Sequence, residues 1–165
     1  MASRKGIGVT IAILVGTVAA SVLVYLLPED TTMKINVSDF GKHLDDVKER
    51  AFMEDEATDE LFEKLMEKKM NADEYIRIAE VSSSQINSLI IELTNSGASQ
   101  EWSESYISYI GALKKLNEKI TETIVIANLM NDNANSNSID EIVSRIHQLE
   151  VESLDLIKKS DNLRP

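Results

Sequence analysis

Two histidines, His43 and His147, are the first side chains in this 165-residue chain to weigh for chemistry. A metal centre needs three or four converging ligands, and on helices these come as paired histidines or as Glu-x-x-His. No His pair stands at helical spacing, and the positions three before each histidine hold Phe40 and Ser144. No metal or cofactor is therefore expected. Met53, Met66, Met70 and Met130 carry soft sulfur suited to copper, and Met66 and Met70 share a helix face. Methionine filling gaps in a bundle core is the commoner use of that residue. Cysteine is absent, which removes thiol nucleophiles, thiolate zinc sites and disulfides.

Carboxylate pairs one turn apart, such as Asp45 with Glu49 and Asp55 with Asp59, have the types needed for acid–base work. Such work needs two acids in environments that separate their pKa values, and acids on amphipathic helices usually form a solvated face. Ser82, Ser83 and Ser84 offer hydroxyls, but no motif pairs one with a base, so they read as small residues permitting close helix approach. No catalytic residue is expected and the chain reads as a non-enzyme. Trp102, Tyr106 and Tyr109 are the candidate partner or ligand face, with the alternative that they are core. Asn36-Val37-Ser38 is a glycosylation sequon, which makes Asn36 a candidate modification site.

These residues need elements to hold them, and the first is an anchor. Gly6 to Leu27 is a run of 22 uncharged residues, about 33 Å long as a helix and enough to span a hydrocarbon core of roughly 30 Å. Arg4 and Lys5 precede it, while Pro28, Glu29 and Asp30 follow. The positive-inside rule then puts the N-terminus in the cytoplasm and the remainder outside, with Tyr25 at the interface. A cleaved signal peptide competes. Ala19 and Ala20 would supply its cleavage site, but the following SVLVYLL stays apolar, which favours an uncleaved anchor. The expected organisation is a cytoplasmic stub and transmembrane anchor over 1–27, a linker over 28–37 and an extracytoplasmic four-helix bundle over 38–165.

Setting aside Arg4 and Lys5, 15 of the 17 bases remain against 28 acids. Such a domain repels phosphate backbones, so nucleic acid is excluded as a partner. Two prolines and six glycines suit long helices better than a sandwich or barrel. The expected fold is all-α, an N-terminal transmembrane helix followed by an antiparallel up-down four-helix bundle.

The periodicity supports it. Ser38 caps a first helix reaching about Met70, with Phe40, Leu44, Val47, Ala51, Leu61 and Leu65 facing inward. Acids from Glu54 to Glu60 break that stripe, predicting either a solvent-exposed overhang or a kink. Asn71 with Glu74 forms a capping box for a second helix that stops at Gly97. Ser99 or Ser103 opens a third helix, in which Trp102, Tyr106, Tyr109, Leu113, Leu116, Ile120, Thr123, Ala127 and Met130 follow 4-3-4-3 spacing, as in a coiled-coil seam. Asn131 to Ser138 reads as a loop, and Ser138 with Glu141 caps a fourth helix ending near Ser160. The first and third helices are expected to outreach the second and fourth, leaving an overhang for a partner.

The N-terminal stretch MASRKGIGVTIAILVG…VYLLP, the segment AEVSSSQINSLIIEL, the turn Gly97-Ala98-Ser99-x-Glu101-Trp102, Ala127-Asn128-Leu129 and the terminus Asp-Asn-Leu-Arg-Pro together resemble a family of short, single-pass membrane-anchored helical proteins of ammonia-oxidising archaea. The resemblance covers nearly the whole chain. It implies an archaeal cell-envelope setting and carries over no catalytic or binding residues. The function expected is that of an interaction, scaffold or accessory subunit of an envelope complex, with the bilayer and a membrane or envelope protein as partners. The alternatives are a small-ligand sensing or solute-binding module and a copper-handling protein.

Overall fold

The computed structural model describes residues 37–132 and 136–165. Among the described residues there are four helices and no strand: α1 (Phe40–Met66), α2 (Ala72–Asn95), α3 (Gln100–Asn131) and α4 (Ser136–Asn162). The all-α four-helix expectation is met. None of the four is long and apolar enough to cross a membrane. The anchor expected over 6–27, Tyr25, the linker as far as residue 36 and the sequon residue Asn36 all lie outside the described residues.

Side-chain pairs fix the topology. Arg50 and Phe62 of α1 meet Glu92 and Tyr75 of α2, so the two run antiparallel. Tyr75 and Asn87 of α2 meet Thr123 and Asn117 of α3, again antiparallel. Ser105 and Glu122 of α3 meet Ser160 and Arg145 of α4. The chain therefore goes up, down, up and down, with α1 parallel to α3, as short connections require.

The apolar stripes form one core. Leu44, Val47, Ala51 and Leu65 from α1, Tyr75, Ala79, Ile86, Leu89 and Leu93 from α2, and Tyr106, Tyr109, Leu113, Leu116 and Ile120 from α3 are all buried in it. Ser82 is buried within the α2 stripe, where a small side chain lets α2 approach its neighbours. Gly41 serves α1 in the same way, since a Cβ there would meet the Trp102 ring at 3.1 Å.

Several boundaries differ from the periodic reading, each for a local reason. Asp39, not Ser38, caps α1: its carboxylate accepts from Lys42 N at 2.9 Å. That start puts Phe40 edge-on to Tyr106, with centroids 6.0 Å apart. The helix ends at Met66 rather than Met70, closed by paired backbone bonds from Lys69 N to Lys64 O and from Lys68 N to Leu65 O. This is the Schellman closure, and it forces Lys68 to φ +58°, where glycine is the usual occupant. No break in the helix marks Glu54 to Glu60. The helix continues through it, with Thr58 buried and its hydroxyl donating to Glu54 O at 2.7 Å.

Asn71 caps α2 by accepting from Asp73 N at 2.8 Å, and no return bond from Glu74 completes the box. Gly97 sits at φ +62°, as its place after the helix required. Ser99 rather than Ser103 precedes α3. The fourth helix begins at Ser136, so Ser138 and Glu141 are helical residues and not a cap. Helix lengths of 27, 24, 32 and 27 residues make α3 the longest, while α1 only equals α4. The helices are also unevenly spaced.

Candidate functional site

The third helix packs against all three others, whereas the backbones of α1 and α4 flank it without approaching each other. No Cα of α1 comes within 8 Å of one in α4, although packed helices lie only about 8–10 Å apart axis to axis. One end of the seam is clasped. Lys48 pairs with Asp161, and Arg164 pairs with Asp45 while its Nε stands 3.2 Å from Asp161. The Lys48 ammonium also lies 5.3 Å from the centre of the Tyr109 ring, a cation–π contact that fixes it over the core.

Beyond the clasp the seam opens into a cleft of about 710 Å³. Its floor is Tyr109, Ala112, Leu113, Leu116 and Lys119 of α3. One wall is the α1 face carrying Ala51, Phe52, Asp55, Glu56, Asp59, Glu60 and Glu63, and the other carries Glu150, Ser153, Leu154, Ile157 and Asp161 of α4. Phe52 and Leu154 form its lips and are 65 % and 49 % exposed. Among the described residues, the lining holds seven carboxylates and two ammonium groups.

Lys119 is the unusual member. Only 4 % of its side chain reaches solvent, and its ammonium donates to Asp55 Oδ1 and Asp59 Oδ2, both at 2.7 Å. Burial pulls an ammonium toward its neutral form, but Asp55 and Asp59 outweigh it and hold the Lys119 pKa above the ordinary lysine value. Burial pushes the Asp55 carboxyl up, against the pull of Lys119, with Asp59 and Glu150 adding to the rise. Two aspartates one turn apart on α1 thus converge on a single cation of α3. They satisfy it and tie α1 to α3 at the cleft floor.

A second polar cluster lies where α1, α2 and α3 meet. His43 Nε2 stands 3.0 Å from Glu92 Oε1, and Arg50 donates to the same carboxylate at 2.6 and 3.0 Å. The Arg50 hydrogen bonds hold the Glu92 carboxyl below the usual glutamate range. A carboxylate only accepts, so Nε2 carries a proton. His43 Nδ1 lies 2.9 Å from the Tyr106 hydroxyl, which also lies 2.9 Å from the Phe40 carbonyl. With neutral His43, Tyr106 donates to Nδ1; with the imidazolium, Nδ1 donates and the phenol turns to Phe40 O. Burial raises the Tyr106 pKa to about 12 and pushes Tyr109 up as well.

No family model, curated protein or solved structure matches the chain.

The structure distributes the sequence candidates as follows. Tyr106 and Tyr109 are core residues, 2 % and 3 % exposed, with Tyr109 also the aromatic part of the cleft floor. Trp102 is partly buried, edge-on to Tyr106 at 6.4 Å and against Gly41. The three aromatics therefore do not form one open face. His147 is exposed on α4, remote in sequence from the half-buried His43, and no group of three or more metal-ligating side chains gathers among the described residues. Met66 and Met53 are exposed, while Met70 and Met130 pack against the core. Ser83 donates to Asn117 Oδ1 at 2.7 Å, tying α2 to α3. Of the acid pairs, Asp55 with Asp59 is the one held at the cleft, and Asp45 takes part in the clasp. Sequence reasoning missed Lys119. Its signal was a lysine three residues after Leu116 and next to Ile120, inside an apolar stripe, facing a helix with aspartates one turn apart.

Proposed function

We propose that this protein is a membrane-tethered, extracytoplasmic accessory or scaffold subunit that recruits another protein through the α1–α4 cleft. The observation that carries it is the missing helix pair: α1 and α4 are clasped at one end and stay apart beyond it, over an apolar floor with Phe52 and Leu154 left in solvent. Exposed apolar lips with a polar rim are the anatomy of a protein-binding patch. The tether rests on the uncharged run from Gly6 to Leu27 and the two cations before it. The resemblance to envelope proteins of ammonia-oxidising archaea agrees with that setting.

A photo-crosslinking residue at Leu154, introduced in the native host, tests the reading. It is expected to give one discrete adduct with a membrane or envelope protein, absent when the same residue replaces the exposed Arg77 of α2. A chain that forms no adduct from Leu154 and migrates from gently solubilised membrane only as a free monomer contradicts it.

A further inference from the structure

We infer that the occupant of the cleft is a basic amphipathic helix of the partner protein, about four turns long; this rests on the reading of the cleft as a docking surface. Length comes first. From Lys48 at the clasp to Glu63 at the open end, the α1 wall runs about 22 Å at 1.5 Å per residue, which is four helical turns. Two helical walls over a helical floor form the groove into which a helix lays an apolar face.

Charge then selects the partner. Lys119 is consumed by Asp55 and Asp59, and Lys48 by Asp161. The carboxylates of Glu56 and Glu63 stand on the α1 rim, seven residues and about two turns apart, and no cation among the described residues pairs with them. Glu150 faces them from α4, its nearest cationic candidate being the exposed His147 at 3.7 Å. An acidic helix would bring like charges together on both rims, and a second copy of this chain, with 28 acids against 17 bases, would do the same. A helix with an apolar stripe flanked by lysine or arginine meets Phe52 and Leu154 with the stripe and both rims with its cations. Because the Lys119 clamp already neutralises Asp55 and Asp59, the partner's cations are required only at the rim, where water still reaches and the attraction is sensitive to salt.

The test uses the full-length chain in mild detergent and a fluorescent 16-residue helical peptide of leucines flanked by lysines. Its controls are the same peptide with glutamate for lysine, and spermine as a polycation without a helix. Anisotropy titration is expected to show the lysine peptide binding at least tenfold more tightly than the glutamate peptide. The double variant Glu56→Lys, Glu63→Lys, at exposed positions outside the core, is expected to weaken it at least tenfold while leaving the circular dichroism unchanged. Equal affinity for the two peptides, both lost in Phe52→Ala with Leu154→Ala, overturns the basic partner and leaves the docking surface standing. Displacement of the peptide by spermine at matched charge overturns the helix in favour of a polycation site. Binding by neither peptide overturns the inference, and the Leu154 crosslink then decides separately whether the cleft docks anything.

Discussion

Lys119 and Asp55 meet at 2.7 Å on the cleft floor, the one a nearly buried cation of α3 and the other a carboxylate of α1, with Asp59 completing the clamp at the same distance. This pair ties α1 to α3 where no α4 backbone lies beside α1. Removing the lysine leaves two carboxylates facing each other with no cation. Breaking a fully buried pair costs about 3–5 kcal/mol; because Asp55 and Asp59 are partly exposed, Lys119→Met should cost nearer 2 kcal/mol. Urea unfolding in a background of Asp55→Asn with Asp59→Asn should show that cost reduced by at least half. An unchanged cost there would mean that Lys119 acts through its methylenes alone.

Tyr75 donates to Thr123 Oγ1 at 2.6 Å, and Thr123 donates in turn to Ile120 O at 2.7 Å. Tyr75→Phe removes a donor and leaves an acceptor that has other uses, so about 1 kcal/mol should be lost. Thr123→Val strands the buried phenol and should cost more, about 2 kcal/mol. Equal losses in chemical denaturation would contradict this order.

Alkaline stability follows from the same burial. Tyr75 and Tyr106 are raised to about 12, Tyr109 is raised too, and Lys119 stands above its ordinary value. For groups whose folded pKa exceeds the unfolded one, the stabilisation is complete below the unfolded pKa and fades as pH rises toward the folded one. The folded fraction should therefore fall from about pH 10 upward. In a Tyr25→Phe variant, which removes the one tyrosine outside the bundle, phenolate absorbance near 295 nm should appear together with loss of helix signal. Phenolate forming while the circular dichroism is still native would show that these tyrosines are not held by burial.

Acid acts through other groups. Glu92 is lowered chiefly by the Arg50 hydrogen bonds and Asp45 chiefly by that from Arg164, so their stabilisation is present above the ordinary carboxylate range and is lost as pH falls through the lowered values. Asp55 opposes this, because its raised pKa favours the folded state once it is protonated. Both ion pairs are partly exposed and worth about 1 kcal/mol or less each. Glu92→Gln should reduce the loss in urea midpoint between pH 6 and pH 3. An unaltered slope would remove Glu92 from the account.

Lys68 carries the Schellman position at φ +58° with a Cβ that disfavours it. Lys68→Gly should stabilise the chain by about 0.5–1 kcal/mol in the same denaturation assay. Destabilisation would mean that its side chain makes up for the strain.

Helix number and nearly every core position were legible because the inward residues of α2 and α3, apolar except for Ser82 and Thr123, keep a 4-3 rhythm from Tyr75 to Leu93 and from Tyr106 to Ala127. Periodicity says which face is inward and nothing about which helices touch across a bundle. The α1–α4 gap was therefore invisible. The acids from Glu54 to Glu60 broke the stripe of α1 and were read as overhang or kink, because their partner, Lys119, lies 60 residues or more away in sequence. Caps moved by a residue or two where neighbouring polar residues compete, as with Ser38 and Asp39. At the start of α4, an asparagine-rich run that resembles a loop by composition gave its last residues to the helix.

Hydrogen–deuterium exchange on the full-length chain, with and without the lysine–leucine helix, tests the docking cleft most directly. Protection should rise along residues 48–63 of α1 and 150–161 of α4 and leave the α2 surface from 76 to 91 unchanged. Protection confined to α2, or none anywhere at saturating peptide, would contradict the cleft as the place where this bundle receives its partner.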